Sequence, residues 1–163
     1  MAEELLTLSL DGLPQWEQLT QDMISRTEDL SEVWETGDEA FRLEMSAQFE
    51  SQGGYLQDGT QWVPLSFAYA KRKPPPPAPF GILYRSGKLW QSLAKEGGDH
   101  VKIVQPESLV VGSSVPYGKY HQTGGGKLPQ RKIIIVRDAL KRLLMRGIIG
   151  YILTGKRPGA REG

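Results

Sequence analysis

Residues 101–111, VKIVQPESLVV, hold two short apolar runs separated by a polar connection. Val101 and Ile103 precede the connection, and Leu109, Val110 and Val111 follow it. β-Branched residues favour strands, and a cluster such as Gln105–Ser108 is typical of a tight turn. This stretch therefore predicts two strands of a small antiparallel sheet.

The residues before Leu30 predict a first helix. Asp11 and Pro14 suit its start, because proline in the first turn lacks only an N–H that would be unpaired there. Apolar side chains then recur at helical spacing. These side chains are Leu13, Trp16, Leu19, Met23, Ile24 and Leu30.

A second helix is predicted to follow, with Ser31 as its cap. Three large apolar residues lie on one of its faces, spaced by four. Gly37 lies between two apolar clusters and predicts a break, and Gly53 and Gly54 predict the helix end. The apolar residues of that face are Phe41, Met45 and Phe49.

Four further elements are predicted, one just before the hairpin and three after it. Ser86 would cap a short helix that contains Leu89 and Leu93, and Pro116 would open another. The β-branched run of residues 130–136 predicts a third strand, and Asp138 the cap of a final helix. The apolar face of that helix would comprise Leu140, Leu143, Leu144, Ile148, Tyr151 and Ile152. The fold class that results is α+β, with helices packed on a small antiparallel sheet.

Residues 53–81 differ in composition from both flanks and predict an extended loop. Five prolines fall within 74–79, next to three basic residues at 71–73. Such a run favours polyproline II geometry, which is also the geometry of PxxP peptides bound by signalling domains. Because the segment is internal, we interpret it as a stiff surface loop.

Charge is divided unevenly along the chain. Residues 1–50 contain thirteen acidic residues and two arginines, a net charge of −11, whereas residues 51–163 carry +12. The two halves could neutralise each other within one fold, or an acidic surface of one chain could meet a basic surface of another. The basic C-terminal third could also bind nucleic acid, although it lacks the interleaved aromatics of single-strand binders.

Candidate catalytic and cofactor residues are few. The chain has no cysteine and two histidines, which leaves out thiolate chemistry and makes a histidine metal cluster unlikely to form. His121 is the one useful candidate base, for a small hydrolase, but packing is the commoner role of such a histidine. Gly124–Lys127 lacks the hydroxyl residue of a phosphate loop and predicts a flexible loop. We therefore expect neither an enzyme nor a cofactor.

The order of five short motifs is more informative than any one of them. WVPL (62–65) is followed by LYRSGKL (83–89), VGSSVPYG (111–118), HQTG (121–124) and LPQR (128–131). This succession resembles the virion morphogenesis family of tailed phages, also described as tail-completion proteins. The resemblance covers about residues 38–154.

The resemblance implies a non-enzymatic structural protein of the virion, in the neck or at the tail end, assembled in the host cytoplasm. Such proteins form rings, hexameric ones in this family, that complete the tail and join it to the head. The implied partners are further copies of this chain, tail-tube or terminator proteins and head-connector proteins, without a membrane. Contact with DNA in passing, or a nucleic-acid-binding module, is the alternative function.

Three regions follow from these patterns. Residues 1–37 would be an acidic helical arm, 38–154 the tail-completion-like domain with its loop at 53–81, and 155–163 a basic flexible tail. In a ring, one face of each subunit meets a different face of the next, so acidic helices can meet a basic surface. The candidate contacts between subunits are Glu35, Asp38, Glu39, Pro74, Pro75, Pro76, Pro77, Arg131, Lys132, Arg137, Lys141 and Arg142.

Overall fold

A computed structural model describes residues 12–56, 58–73 and 81–158. The second helix is central, because the fourth helix, the sixth helix and both strands pack on it. Helices therefore pack on a small antiparallel sheet, which confirms the predicted α+β class. In chain order the elements are α1 (Leu13–Glu28), α2 (Ser31–Glu50), α3 (Phe67–Arg72), α4 (Lys88–Ala94), β1 (His100–Gln105), β2 (Ser108–Ser113), α5 (Gly118–Thr123) and α6 (Asp138–Thr154).

The hairpin forms as its sequence predicts. β1 and β2 pair antiparallel, with Ile103 opposite Val110 and Gln105 opposite Ser108. The carbonyl of Pro106, in the turn, accepts hydrogen bonds from the backbone N–H of Leu30 (2.9 Å) and the indole N–H of Trp34 (3.2 Å). These bonds hold the turn against the junction between α1 and α2.

One apolar core joins α2 to α4 and to the irregular segments around them. The predicted stripe on α2 is fully part of it, and the rings of Phe49 and Trp62 meet edge to face with their centroids 5.4 Å apart. Aromatic pairs favour that geometry. The buried apolar residues of this core are Phe41, Met45, Phe49, Leu56, Trp62, Leu89, Leu93, Val115 and Ile133.

The predicted third strand does not form. Residues 131–137 lie outside any strand, and side chains instead satisfy their backbone groups. The amide oxygen of Gln122 accepts from the N–H of Ile133 (2.7 Å) and Ile134 (3.0 Å), and its amide nitrogen donates to the Ile134 carbonyl (2.8 Å). The carbonyl of Lys132 accepts from Trp62 Nε1 at 2.9 Å. With these partners, the backbone groups of Lys132, Ile133 and Ile134 need no neighbouring strand.

The predicted break at Gly37 is also wrong. α2 runs without interruption from Ser31 to Glu50, across the expected boundary between residues 37 and 38. A Cβ on Gly37 would lie 3.0 Å from Leu144 Cδ2 and 3.1 Å from Leu109 Cδ2. Glycine is therefore present here because α6 and β2 approach the helix closely, not because the backbone turns.

The boundaries of other elements differ from the predictions by a few residues. α2 ends at Glu50, before Gly53, and the expected loop 53–81 contains the six-residue helix α3. The caps are Leu30 for α2, Gly87 for α4 and Arg137 for α6, where we expected Ser31, Ser86 and Asp138. Gly87 has φ 80°, a left-handed conformation that a serine adopts rarely.

Candidate functional site

A buried charged cluster connects α2 to β1. The carboxylate of Asp38 is 0% exposed and the ring of His100 is 2% exposed, with Nε2 2.9 Å from Asp38 Oδ1. Asp38 Oδ2 accepts from Arg42 Nε at 3.0 Å, and Lys102 Nζ lies 3.8 Å away. The charge of Asp38 is thus matched within this chain by the cations of Arg42 and Lys102.

Both ring nitrogens of His100 lie within hydrogen-bond distance of an oxygen atom. Nδ1 lies 2.9 Å from the carbonyl oxygen of Ser92, and Nε2 faces the carboxylate. Both partners are oxygen atoms, so the ring is fixed in orientation between α4 and α2. The hydroxyl of Ser92 bonds to the Leu89 carbonyl and to Ser113, not to the ring. Ser92, His100 and Asp38 therefore form a structural network and not a nucleophilic triad.

His121, the candidate base, lies on α5 against the ring of Tyr117, with centroids 6.4 Å apart. Burial, and secondarily the positive charge of Arg131, lower the pKa of His121. Its buried Nδ1 has no hydrogen-bond partner among the described residues. No carboxylate in the described part of the chain orients this ring as a catalytic base requires.

A cavity with a volume of about 680 Å³ lies beside His121. It lies between residues 64–73, 83–87 and 117–131, which are far apart in the sequence. Its walls are largely apolar and aromatic, from residues such as Leu83, Leu128 and Tyr84. Its charged lining residues are all basic, namely Lys73, Arg85, Lys127 and Arg131.

Arg131 is the most unusual of these cations, because it is only 5% exposed. Its guanidinium donates to the carbonyls of Val63 (3.0 Å) and Pro64 (3.4 Å), and burial lowers its pKa. No carboxylate forms an ion pair with it among the described residues, in contrast to Arg137 and Lys102. A buried cation without a counter-charge is costly in free energy.

α6 has two apolar faces. Leu140 is buried against the body of the protein, as predicted, whereas Leu143 is half exposed. Met145, Ile149 and Leu153 follow each other by four residues on the outer face and are 57%, 50% and 53% exposed. Three large apolar side chains in a row at the surface are typical of a protein–protein interface.

α1 extends the exposed apolar surface. None of its residues is buried, although it packs on α6 near Arg26, which donates to the Ile152 carbonyl at 3.0 Å. Trp16 is 67% exposed, and Leu13, Leu19 and Ile24 are also exposed. The first turns of α1 thus leave large apolar side chains exposed at the surface.

The structure separates the predicted acidic contacts. Asp38 is buried in the cluster described above, and Glu35 pairs with Lys102 at 2.5 Å. Of these three acidic residues, only Glu39 is exposed and forms no salt bridge with another described residue. The acidic half of the chain is thus partly neutralised by its own basic half, which leaves Glu39 as the available contact.

The predicted basic contacts divide in the same way. Arg131 is buried, and Arg137 lies 2.7 Å from Glu44 Oε1 and 4.2 Å above the ring of Tyr55. Lys132, Lys141 and Arg142 are exposed. Lys141 lies 3.1 Å from Asp138, a pair that is largely in solvent. The side chains of Lys132, Lys141 and Arg142 therefore lie on the outer surface, whereas Arg131 is buried at the cavity and Arg137 is paired with Glu44.

Two further sets of residues complete the comparison with the sequence. The contacts predicted at Pro74, Pro75, Pro76 and Pro77 lie outside the described residues, as does most of the predicted tail. Sequence reasoning missed His100, Gln122 and the cavity. The HQTG motif contains Gln122, but no spacing in the sequence indicates that it serves the backbone eleven residues later.

Three comparisons with known proteins identified no relative of this chain. No family model matches the chain, and neither a curated protein nor a solved structure does. Across 12–56, 58–73 and 81–158, no three His, Asp or Glu side chains are grouped so that they could hold a metal ion. In the same ranges, no helix combines the length and the apolar character needed to cross a membrane.

Proposed function

We propose that this chain is a structural subunit that assembles with copies of itself into a ring at the neck or tail end of a tailed phage. The ordered motifs of residues 62–131 support the assignment to a virion. The observation that supports self-assembly is the exposed apolar stripe of Met145, Ile149 and Leu153, continued by α1. A second copy of the chain is the partner that a ring places against such a stripe.

The charges left over after internal pairing fit the same proposal. Among the described residues, Glu39, Lys132 and Arg142 form no salt bridge, and Lys141 pairs with the exposed Asp138. In a heterologous interface these opposite charges can approach each other from different subunits. Their main effect is on orientation and association rate, because exposed pairs contribute only about 0–1 kcal/mol each.

The test is the mass of the purified full chain by native mass spectrometry and light scattering, over a range of protein concentration. We expect a closed oligomer for the natural sequence and a monomer with an unchanged melting temperature for Ile149→Gln. Arg146→Gln, also exposed on α6, is the matched control and should still assemble.

A chain that is monomeric at every concentration would contradict the proposal. A gel-shift titration with duplex DNA in increasing salt tests the alternative function. Salt-sensitive binding by a monomer, with no oligomer at any concentration, would favour a nucleic-acid-binding module.

A further inference from the structure

The residues that line the cavity of about 680 Å³ indicate the chemistry of a ligand that would fit it. Its volume is that of an ordinary ligand pocket, and its walls combine leucines, prolines and tyrosines with four cations. None of the described residues that line it is acidic. An occupant that suits it therefore carries both apolar groups and negative charge.

The buried guanidinium of Arg131 is a second, independent indication of an anion. It lines the cavity, donates only to uncharged carbonyls and has no carboxylate partner in the described ranges. A carboxylate entering the cavity would supply the missing counter-charge, and in a desolvated site such a bond is stronger than at the surface.

The chain itself contains a segment of that chemistry. Residues 1–11, MAEELLTLSLD, precede the described part of the structure and hold Glu3, Glu4 and Asp11 without any lysine or arginine. Four leucines accompany these acids. Eleven residues can span up to roughly 36 Å, which is enough to reach beyond the subunit to which they belong.

We propose that the cationic cavity binds residues 1–11 of a neighbouring copy of this chain. The leucines cover the apolar walls, and the acidic groups neutralise Arg85, Lys127 and Arg131. This proposal rests on the ring proposed above and names one of its contacts. In a ring every subunit both gives and receives a segment, and tethering raises the local concentration of the segment.

The experiment uses the full chain with a photo-crosslinking benzoylphenylalanine in place of Leu8. Unlabelled photo-reactive chain is mixed with ¹⁵N-labelled natural chain, irradiated, digested and mapped by mass spectrometry. We expect cross-links from unlabelled position 8 to labelled peptides that contain residues 64–73, 83–87 or 127–131. Cross-links to other regions, cross-links confined to one chain, or none at all would overturn the proposal.

Charge reversal supplies the specificity control. Arg85→Glu with Lys127→Glu should lower the cross-link yield at least fivefold, because both residues are exposed cavity cations. Lys95→Glu with Arg146→Glu reverses two exposed cations that neither line the cavity nor belong to the proposed ring contacts, and it should leave the yield unchanged. Adding Glu3→Lys and Glu4→Lys to the cavity variant should restore the yield. Equal losses in both pairs, or no restoration, would mean that the binding is not specific to the cavity.

Two measurements distinguish this proposal from a ring without such docking and from a nucleic-acid site. If native mass spectrometry shows a ring while the cross-links avoid the cavity, the docking is wrong and the ring stands. If a fluorescent single-stranded oligonucleotide binds the natural chain, and only the cavity variant loses that binding, the cavity is a nucleic-acid site instead. Failure of the ring itself appears as a monomer in the natural chain.

Discussion

At the scale of single residues, we expect the buried Asp38 to contribute more to stability than an exposed acid on the same helix does. Asp38→Asn keeps the size of the side chain but removes the buried carboxylate that contacts His100 and the partly buried Arg42. Breaking one side of a buried ion pair costs about 3–5 kcal/mol. We expect a loss of that size in the free energy of unfolding, measured by urea denaturation.

The neighbouring Glu39 supplies the control for that measurement, since it is exposed on the same helix. Glu39→Gln should change the free energy of unfolding by no more than about 0.5 kcal/mol. Similar values for the two variants would mean that the Asp38 cluster does not stabilise the fold.

His121 gives the protein a second residue-scale property, a dependence of stability on pH. Its pKa in the folded chain is lowered below the ordinary 6.5, first by burial and then by Arg131. The unfolded chain therefore binds the proton more readily than the folded chain does. The free energy of unfolding should fall as the pH decreases through 6.5 towards the folded pKa.

The measurement is the difference between the natural chain and His121→Gln in urea titrations between pH 7.5 and 5.5. The natural chain should lose more stability over this interval than the variant. A variant that loses as much, or more, would contradict the assigned pKa direction.

At the scale of elements, two helical glycines have opposite roles. Gly150 in α6 has no atom within 4 Å of the position of a Cβ, whereas a Cβ on Gly37 in α2 would press on Leu144 and Leu109. Gly150→Ala should therefore raise the free energy of unfolding by up to about 1 kcal/mol through helix propensity. Gly37→Val should lower it by about 1–3 kcal/mol through overpacking.

Thermal and urea unfolding of the two variants check this pair. Equal effects of the two substitutions would indicate that α6 does not pack on α2 at Gly37. Equal effects would then contradict our explanation of Gly37 by the close approach of α6 and β2.

At the scale of the whole molecule, charge reversals should separate assembly from folding. Lys141→Glu with Arg142→Glu reverses exposed charges, so we expect weaker self-association and an unchanged melting temperature. Adding Glu39→Lys should partly restore association. In 1 M salt the natural chain should also associate less, because the screening length falls to about 3 Å.

Arg137→Glu is the contrasting variant, because it places a second carboxylate beside Glu44. It should lower the melting temperature of the subunit at every protein concentration. Light scattering and calorimetry on the same samples distinguish the two effects. Assembly that is indifferent to salt and to the Lys141 and Arg142 reversals would contradict an electrostatic contribution to the interface.

The sequence by itself determined the features that depend on near neighbours. The hairpin around Pro106, the stripe of Phe41, Met45 and Phe49, and the start of α1 near Pro14 follow from local periodicity and turn chemistry. They form as predicted because their spacing and turn residues are local signals that agree with the packing of the fold. The α+β class follows from these pieces together.

Only the tertiary structure decided how distant residues are used. Residues 131–137 form no strand because the side chains of Gln122 and Trp62 make hydrogen bonds to backbone groups of this segment. Asp38 and Arg131 are buried because residues far along the chain surround them, although both appear in the sequence as ordinary surface charges. Local pattern cannot distinguish a charge that meets a partner in the fold from one left for solvent or another chain, since that depends on three-dimensional neighbours.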